Sequence, residues 1–384
     1  MQKKFIALAI SAAFSAPAFA EVSMYGTVDA AVVHASADGQ KSDTIAVSGG
    51  LSQSRLGVKG AQDLNNGMKA VVVLEYGLDA QTNSTVGAPG VGNSAVARQQ
   101  MLAVAGDFGT VATGYLQTTA YDWAAKFDPT ADSLVSPLQN VTAGSTFLIG
   151  SSAIAARAQR ALAYISPNMG GFIVAANYST ALAGVGDLTQ ANTLVVQNKS
   201  TAFLLSGTYT AGPLAVGAVY VGATLGSSGA AAIPSLGAPN VLSTEAATLS
   251  GTDIALGASY DLAVVKLFAT YQTSKTGTNN VVTAAGTNKA MSVSAVAPVG
   301  PGAIAVSYAK NTIDASSTLS SLTKKGTGTD MGASGVTVAY LQGLSKTTTF
   351  YAAYAKTSQG KNTDLPSVYR LPRGGFHATS FSFC

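Results

Sequence analysis

Of 384 residues only 10% are charged and 41 are glycine; about 25% charged is usual, so a highly charged disordered chain is excluded. The formal net charge of +4 falls to +2 when Lys3 and Lys4 are set aside, leaving 20 basic against 18 acidic groups, and this thin excess lacks the clustered basic stripe of a nucleic-acid binder. One cysteine, Cys384, excludes an internal disulfide framework, and with His34 and His377 alone it cannot complete a typical zinc site, so neither metal nor cofactor is expected.

The first segment, MQKKFIALAISAAFSAPAFA, has Lys3 and Lys4, an apolar stretch from Phe5, and Ala18-Phe19-Ala20. That is the layout of a secretory signal peptide, with the mature chain starting at Glu21. Residues 21–384 then read as one domain. No later apolar run reaches the roughly 20 residues that a membrane-spanning helix needs.

Short alternating segments follow, separated by turn signals. Strands are expected near 21–34, 52–62, 67–79, 95–107, 109–116, 157–167, 170–180, 200–211, 213–223, 251–261, 262–274, 287–298, 301–311, 332–342, 346–357 and 374–383. That is about 16, an even number within the range of bacterial outer-membrane barrels. The connections alternate in length. DLNNG at 63–67, DFG at 107–109, PNMGG at 167–171, AGP at 211–213, VGPG at 299–302 and GLSK at 343–346 are short, and Tyr260-Asp261 reads as a tight turn. The segments 35–51, 80–94, 117–156, 181–199, 224–250, 275–286, 312–331 and 358–373 are long. Short periplasmic turns and long outer loops are the outer-membrane pattern.

The faces agree. Ile304, Val306 and Tyr308 oppose Ala303, Ala305 and Ser307; Leu267 and Tyr271 oppose Lys266 and Thr270; Leu56 and Val58 oppose Arg55 and Lys59. In GMKAVVVLEYGLD, Met68, Ala70, Val72, Leu74 and Tyr76 oppose Lys69 and Glu75, with Val71 and Val73 sharing the charged face. Lipid on one face and a pore on the other explains this, and a bilayer allows strands only in a closed barrel. Tyr178, Tyr209, Tyr220, Tyr260, Tyr271 and Tyr354 near strand ends suit interfacial girdles. The expected class is all-β, a 16-stranded antiparallel transmembrane β-barrel; a secreted β-sandwich or solenoid would not need the alternating loop lengths. Gly90 to Ala95 fits G-x-G-x-x-A, but it precedes a strand pattern and not a helix, so no dinucleotide site is expected.

Several motifs carry a family resemblance. EVSMYGTVDA is similar to the first strand of the trimeric general porins of β-proteobacterial and neisserial type. SRLGVKGAQDLNNGMKAVVVLEYGLD resembles their second hairpin, GDFGTVATGY their G-FGTV--GR segment, and RALAYISPNMGGF their Y-SP-F-GF segment. The match covers roughly the first half of the mature chain. Gln62 stands where an acidic residue is usual, and Tyr115 where an arginine is usual. The chain ends SFSFC, so Phe383 is penultimate where the family has a terminal Phe. The resemblance implies a homotrimer in outer-membrane lipid and lipopolysaccharide, placed there by the barrel-assembly machinery, with the third long loop (117–156) folded into the lumen.

The function so implied is passive passage of small hydrophilic solutes and ions, with a weak anion preference. The alternatives are a substrate-specific channel and a non-conducting structural or adhesive surface protein. An enzyme would need a base beside a nucleophile, and the two histidines give no such pairing. Charges lining a narrow passage set selectivity in such a channel. The expected pore-lining set is Arg55, Lys59, Lys69, Glu75, Arg98, Tyr115 and Arg157 on the wall, with Asp122, Asp128 and Asp132 on the loop. Arg157 and Arg160 have opposite parity, and Arg157 fits the pore. Asp128-Pro129 also reads as a plain turn.

Overall fold

The computed structural model describes residues 21–36, 41–81, 97–142, 149, 156–182, 201–226, 248–278, 287–313, 332–360 and 378–383. The expected leader (1–20), the glycine run at 90–95, His377 and Cys384 lie outside them. The strands are β1 (Glu21–Ala35), β2 (Asp43–Ser48), β3 (Arg55–Asp63), β4 (Lys69–Gly77), β5 (Ala97–Gly106) and β6 (Gly109–Gln117). Two helices, α1 (Thr119–Phe127) and α2 (Pro137–Thr142), follow. Then come β7 (Arg157–Ile165), β8 (Phe172–Leu182), β9 (Thr201–Ala211), β10 (Leu214–Gly226), β11 (Thr248–Asp261) and β12 (Lys266–Thr278). The last are β13 (Thr287–Val299), β14 (Gly302–Thr312), β15 (Gly332–Gly343), β16 (Thr348–Gln359) and β17 (Ala378–Phe383).

All 17 segments belong to one antiparallel sheet. β1 pairs with β3 through Glu21–Thr27 and with β2 through Ala30–Ala35, so β2 and β3 lie end to end as one stave. That leaves 16 positions round the sheet. β17 pairs with β16 on one side and with Val28–Val33 of β1 on the other, which closes the ring. Closure removes the open edges that a bilayer cannot accommodate.

Two expectations are corrected. Segment 35–51 is not only loop, because β2 pairs with Ala30–Ala35 of β1 and carries on the first hairpin. Residues 262–265 are not strand. Leu262 N–H donates to Val265 O at 2.9 Å, Ala263 takes a φ of 66°, and Ala263 N–H donates to the Asp261 carboxylate at 2.9 Å, so the turn falls after Asp261.

The side-chain alternation is the one that a two-solvent wall requires. On β4, Val71 is 0% exposed and Val72 is 43% exposed. Leu56, Leu102, Leu162, Leu205, Leu256, Val293 and Val338 all stand outward, and so do Tyr178, Tyr209, Tyr220, Tyr260, Tyr271 and Tyr354. Asp29, Arg55, Glu75, Arg98 and Arg157 point the other way and are buried.

The described part of the long connection after β6 is held inside the ring. Thr118 caps α1 by accepting from Tyr121 N–H at 3.2 Å, which satisfies one of the free donors of the first turn. Phe127 lies over Gly217 and Gly257, which face each other across β10 and β11. A Cβ at Gly257 would fall 2.5 Å from Phe127 Cγ, and Pro137 of α2 similarly sits 3.1 Å from the Cβ position of Gly335. These glycines are needed for close approach rather than for their own backbone angles. Hydrogen bonds stitch the connection down. Thr119 N–H donates to Asn177 Oδ1 at 2.7 Å, Ile149 N–H to Asp253 Oδ2 at 3.1 Å, and Leu134 N–H to Gly50 O at 2.9 Å. Asn311 and Thr337 donate to the carbonyls of Val141 and Val135, each at 2.5 Å.

Candidate functional site

The charged groups meet on the wall formed by β3 to β7, toward its long-loop end. Arg55 opens β3, Glu75 is near the end of β4, Arg98 is the second residue of β5 and Arg157 opens β7. Register places Glu75 opposite Gly57 and Gln99. Glu75 is 2% exposed and is held from two sides: Arg98 Nε lies 2.8 Å from Oε1 and Arg55 Nε lies 3.8 Å from Oε2. Arg98 reaches further, with Nη2 at 3.7 Å from Asp132 of the inner loop and a second hydrogen bond to Gln53 Oε1. Arg157 Nε donates to Arg98 O at 2.8 Å, and its guanidinium lies 4.5 Å from the centre of the Tyr121 ring. The result is one network that ties three arginines, two carboxylates and helix α1 together.

Tyr25 completes it from β1. Its ring covers Gly57 and its hydroxyl hydrogen-bonds Glu75, so a side chain at 57 would displace it. On the loop, burial and the nearby Asp132 carboxylate push the Tyr121 hydroxyl up to about 12, so it stays a protonated donor. Burial also raises Asp122, against the hydrogen bond from Gln117 and the charge of Arg157. Asp128 is raised by burial too, although Thr130 and Ser136 donate to it.

Of the residues singled out from the sequence, Arg55, Glu75, Arg98, Asp132 and Arg157 are brought together. Tyr115 sits at a β-bulge between Gly114 and Leu116, within the electrostatic reach of Arg98 and Arg157. Arg160 is exposed on the outer side. The others are elsewhere. Lys69 shares a face with Glu75 but not a level, since six residues of strand separate them by about 20 Å. It pairs with Asp63 at 3.3 Å beside the short turn. Lys59 lies further down β3 than Arg55 and is half-buried. Asp128 is the C-cap residue of α1 and accepts from Thr130 N–H at 2.8 Å, Thr130 Oγ1 at 2.6 Å and Ser136 Oγ at 3.0 Å, a local turn role. Asp122 hydrogen-bonds Gln117 instead of the arginines. Sequence reasoning missed Tyr25, Gln53 and Tyr121. The even spacing of Tyr25 from Thr27 and Asp29 was a usable signal for Tyr25.

Among the described residues no group of histidine, cysteine and carboxylate side chains could hold a metal ion. The profile of the Gram-negative porin family matches residues 7–362. The chain belongs to the Gram-negative porin family. Its place is therefore the outer membrane.

This porin is 29% identical to outer membrane porin protein 32 of Delftia acidovorans over 187 residues, which is 47% of the chain and 50% of that protein. It is 34% identical to the major outer membrane protein P.IB of Neisseria gonorrhoeae over 124 residues, 31% of the chain and 33% of that protein. The porin thus aligns with half or less of the length of these relatives. Solved structures match across its whole fold. The anion-selective porin from Comamonas acidovorans superposes with a TM-score of 0.69 at 21% identity, covering 95% of this chain and 99% of that one. OmpT of Vibrio cholerae, in its trimer form, superposes with a TM-score of 0.64 at 16% identity, covering 95% and 99%.

Proposed function

We propose that this porin is a general diffusion channel for small hydrophilic solutes and ions, with a weak anion preference. The observation that carries the preference is the charge balance of the wall network: three guanidinium groups, Arg55, Arg98 and Arg157, against two carboxylates, Glu75 and Asp132. Asp122 and Asp128 stand outside this network, hydrogen-bonded to Gln117 and to Thr130 and Ser136. In this reading the network and Tyr115 line the narrowest part of the lumen, where fixed charge acts most strongly on a passing ion. Lys59 and Lys69 line the wider short-turn half. A relative described as anion-selective points the same way.

We read the porin as a homotrimer, since one matched structure is a trimer form. Residues 1–20 act as the leader, residues 21–384 form the barrel domain, and lipid, lipopolysaccharide and the assembly machinery are its partners in the membrane. The porin does no chemistry; rates follow concentration gradient, width and field.

The test is the reversal potential of purified protein in a planar bilayer under a potassium chloride gradient. Chloride is expected to permeate better than potassium. Arg157→Gln should bring the ratio closer to unity while β7 still pairs normally. A wild-type cation preference would contradict the reading.

A further inference from the structure

A second group of cations lies away from the arginine network. Lys126, in the last turn of α1, donates to Thr210 Oγ1 at 3.1 Å near the end of β9, and its Nζ lies 5.9 Å from the Phe127 ring centre. Lys266 opens β12 and lies 5.2 Å over the ring of Phe268. Register brings the two to one corner: Thr210 pairs with Ala215, Ala215 with Ser259 and Ser259 with Phe268, one inward step above Lys266. Both lysines are half-exposed. Among the described residues neither makes an ion pair within 4.0 Å. The nearest carboxylate by register is Asp261, opposite Lys266, and it accepts from Ala263 N–H to fix its own turn. Asp128, two residues after Lys126, is committed to Thr130 and Ser136.

We propose that Lys126 and Lys266 form a second anion-attracting site at the short-turn end of the lumen, taking small inorganic and carboxylate anions in transit. It rests on the diffusion-channel reading and adds a second station to it. Arg98 stands eight residues above the short turn of β5, roughly 25 Å along the strand, whereas Lys266 is at the rim. Lys266 thus lies beyond a Debye length of about 10 Å in 0.1 M salt from Arg98, with α1 running from the network at Tyr121 to the lysine corner at Lys126. The aromatic rings beneath both ammonium groups hold them without neutralising them. Lys126 is pushed below the ordinary lysine value, by burial first and by the Lys266 charge second, which agrees with two cations sharing one corner.

The test compares the Lys126→Gln/Lys266→Gln double variant with a Lys310→Gln/Lys356→Gln control, whose lysines stand on the exposed outer side of β14 and β16. Each pair removes the same net charge. Chloride and inorganic phosphate are the probes, in planar bilayers. The inner pair should lower the chloride-to-potassium permeability ratio about two-fold, as expected for unit charges several ångströms from the path in water. It should also lower conductance in 0.1 M but not in 1 M potassium chloride, where screening is short. The control should match wild type. Equal effects in both variants, or none in the inner one, would overturn the site while leaving an anion-preferring channel intact. A wild type that never conducts would overturn the site together with the reading beneath it.

Discussion

Arg98→Ala will loosen the inner loop and weaken the anion preference in one step. Among the described residues Arg98 is the only arginine that pairs with both Glu75 and Asp132. Without it, Glu75 keeps one guanidinium at 3.8 Å while remaining almost fully buried. Breaking a buried pair by removing one partner costs about 3–5 kcal/mol, because the remaining charge is left uncompensated. The charge balance of the network falls from three against two to two against two, so the reversal potential should move toward zero. Asp132, held with a φ of 64° next to Arg98, loses its wall anchor, and that should appear as larger current noise. Arg98→Lys is the informative partner. It keeps the charge but not the fork that reaches Glu75, Asp132 and Gln53 together, so selectivity should recover more than stability does. Thermal unfolding and reversal potential measure the two effects separately. Wild-type values for both in Arg98→Ala would remove the network from the account.

The second large effect concerns ring closure. Asp29 is 1% exposed and has no cation beside it in the ion pairs of the described residues. Its Oδ2 accepts from Leu51 N–H and Ser52 N–H, both at 2.9 Å, and its Oδ1 accepts from Tyr351 Oη at 2.7 Å. Tyr351 Oη also accepts from Leu51 N–H at 3.1 Å. One carboxylate thus links β1 to β16, across β17, and to the bend that joins β2 and β3. Asp29 accepts three such bonds, and hydrogen bonds to a charged acceptor contribute about 1.5–3 kcal/mol each, so Asp29→Ala should destabilise the barrel by about 5 kcal/mol. Tyr351→Phe, which removes one of the three donors, should cost about 1.5 kcal/mol. Guanidinium unfolding of the folded barrel checks both, and an Asp29→Ala loss below that of Tyr351→Phe would contradict the latch.

Much of the barrel is legible in the sequence because its physics is local. Lipid and pore impose a period of two on every spanning strand, so Val72 and Leu74 separate from Val71 and Val73 without knowledge of the neighbours. Alternating connection lengths reveal which end of each strand is which. Three features escape this logic. The segment DTIAVS of β2 alternates too briefly to outweigh its polar surroundings, and only its pairing to β1 makes it a strand. The helices of the inner loop are short, and α2 has only six residues, too few to show a helical period. Their stability comes from glycine patches such as Gly217 and Gly257, contributed from 90 and 130 residues beyond Phe127.

Charge placement is the least legible. Parity assigns a face but not a height. Lys69 and Glu75 look equivalent on β4, yet one meets Asp63 at the short turn and the other meets two arginines. Asp122, Asp128 and Asp132 look alike as three carboxylates of one loop. Of the three, Asp132 makes the ion pair with Arg98, because the chain reverses after Asp128 caps α1 and brings residue 132 back toward β5.

A closed ring that is an open, charged passage across the outer membrane must carry ionic current, and single-channel recording of the purified porin in a planar bilayer reads that current. The predicted result is stepwise conductance in groups of three that rises with salt concentration, with chloride favoured in a gradient. Protein that inserts into the bilayer and gives no conductance steps would contradict it.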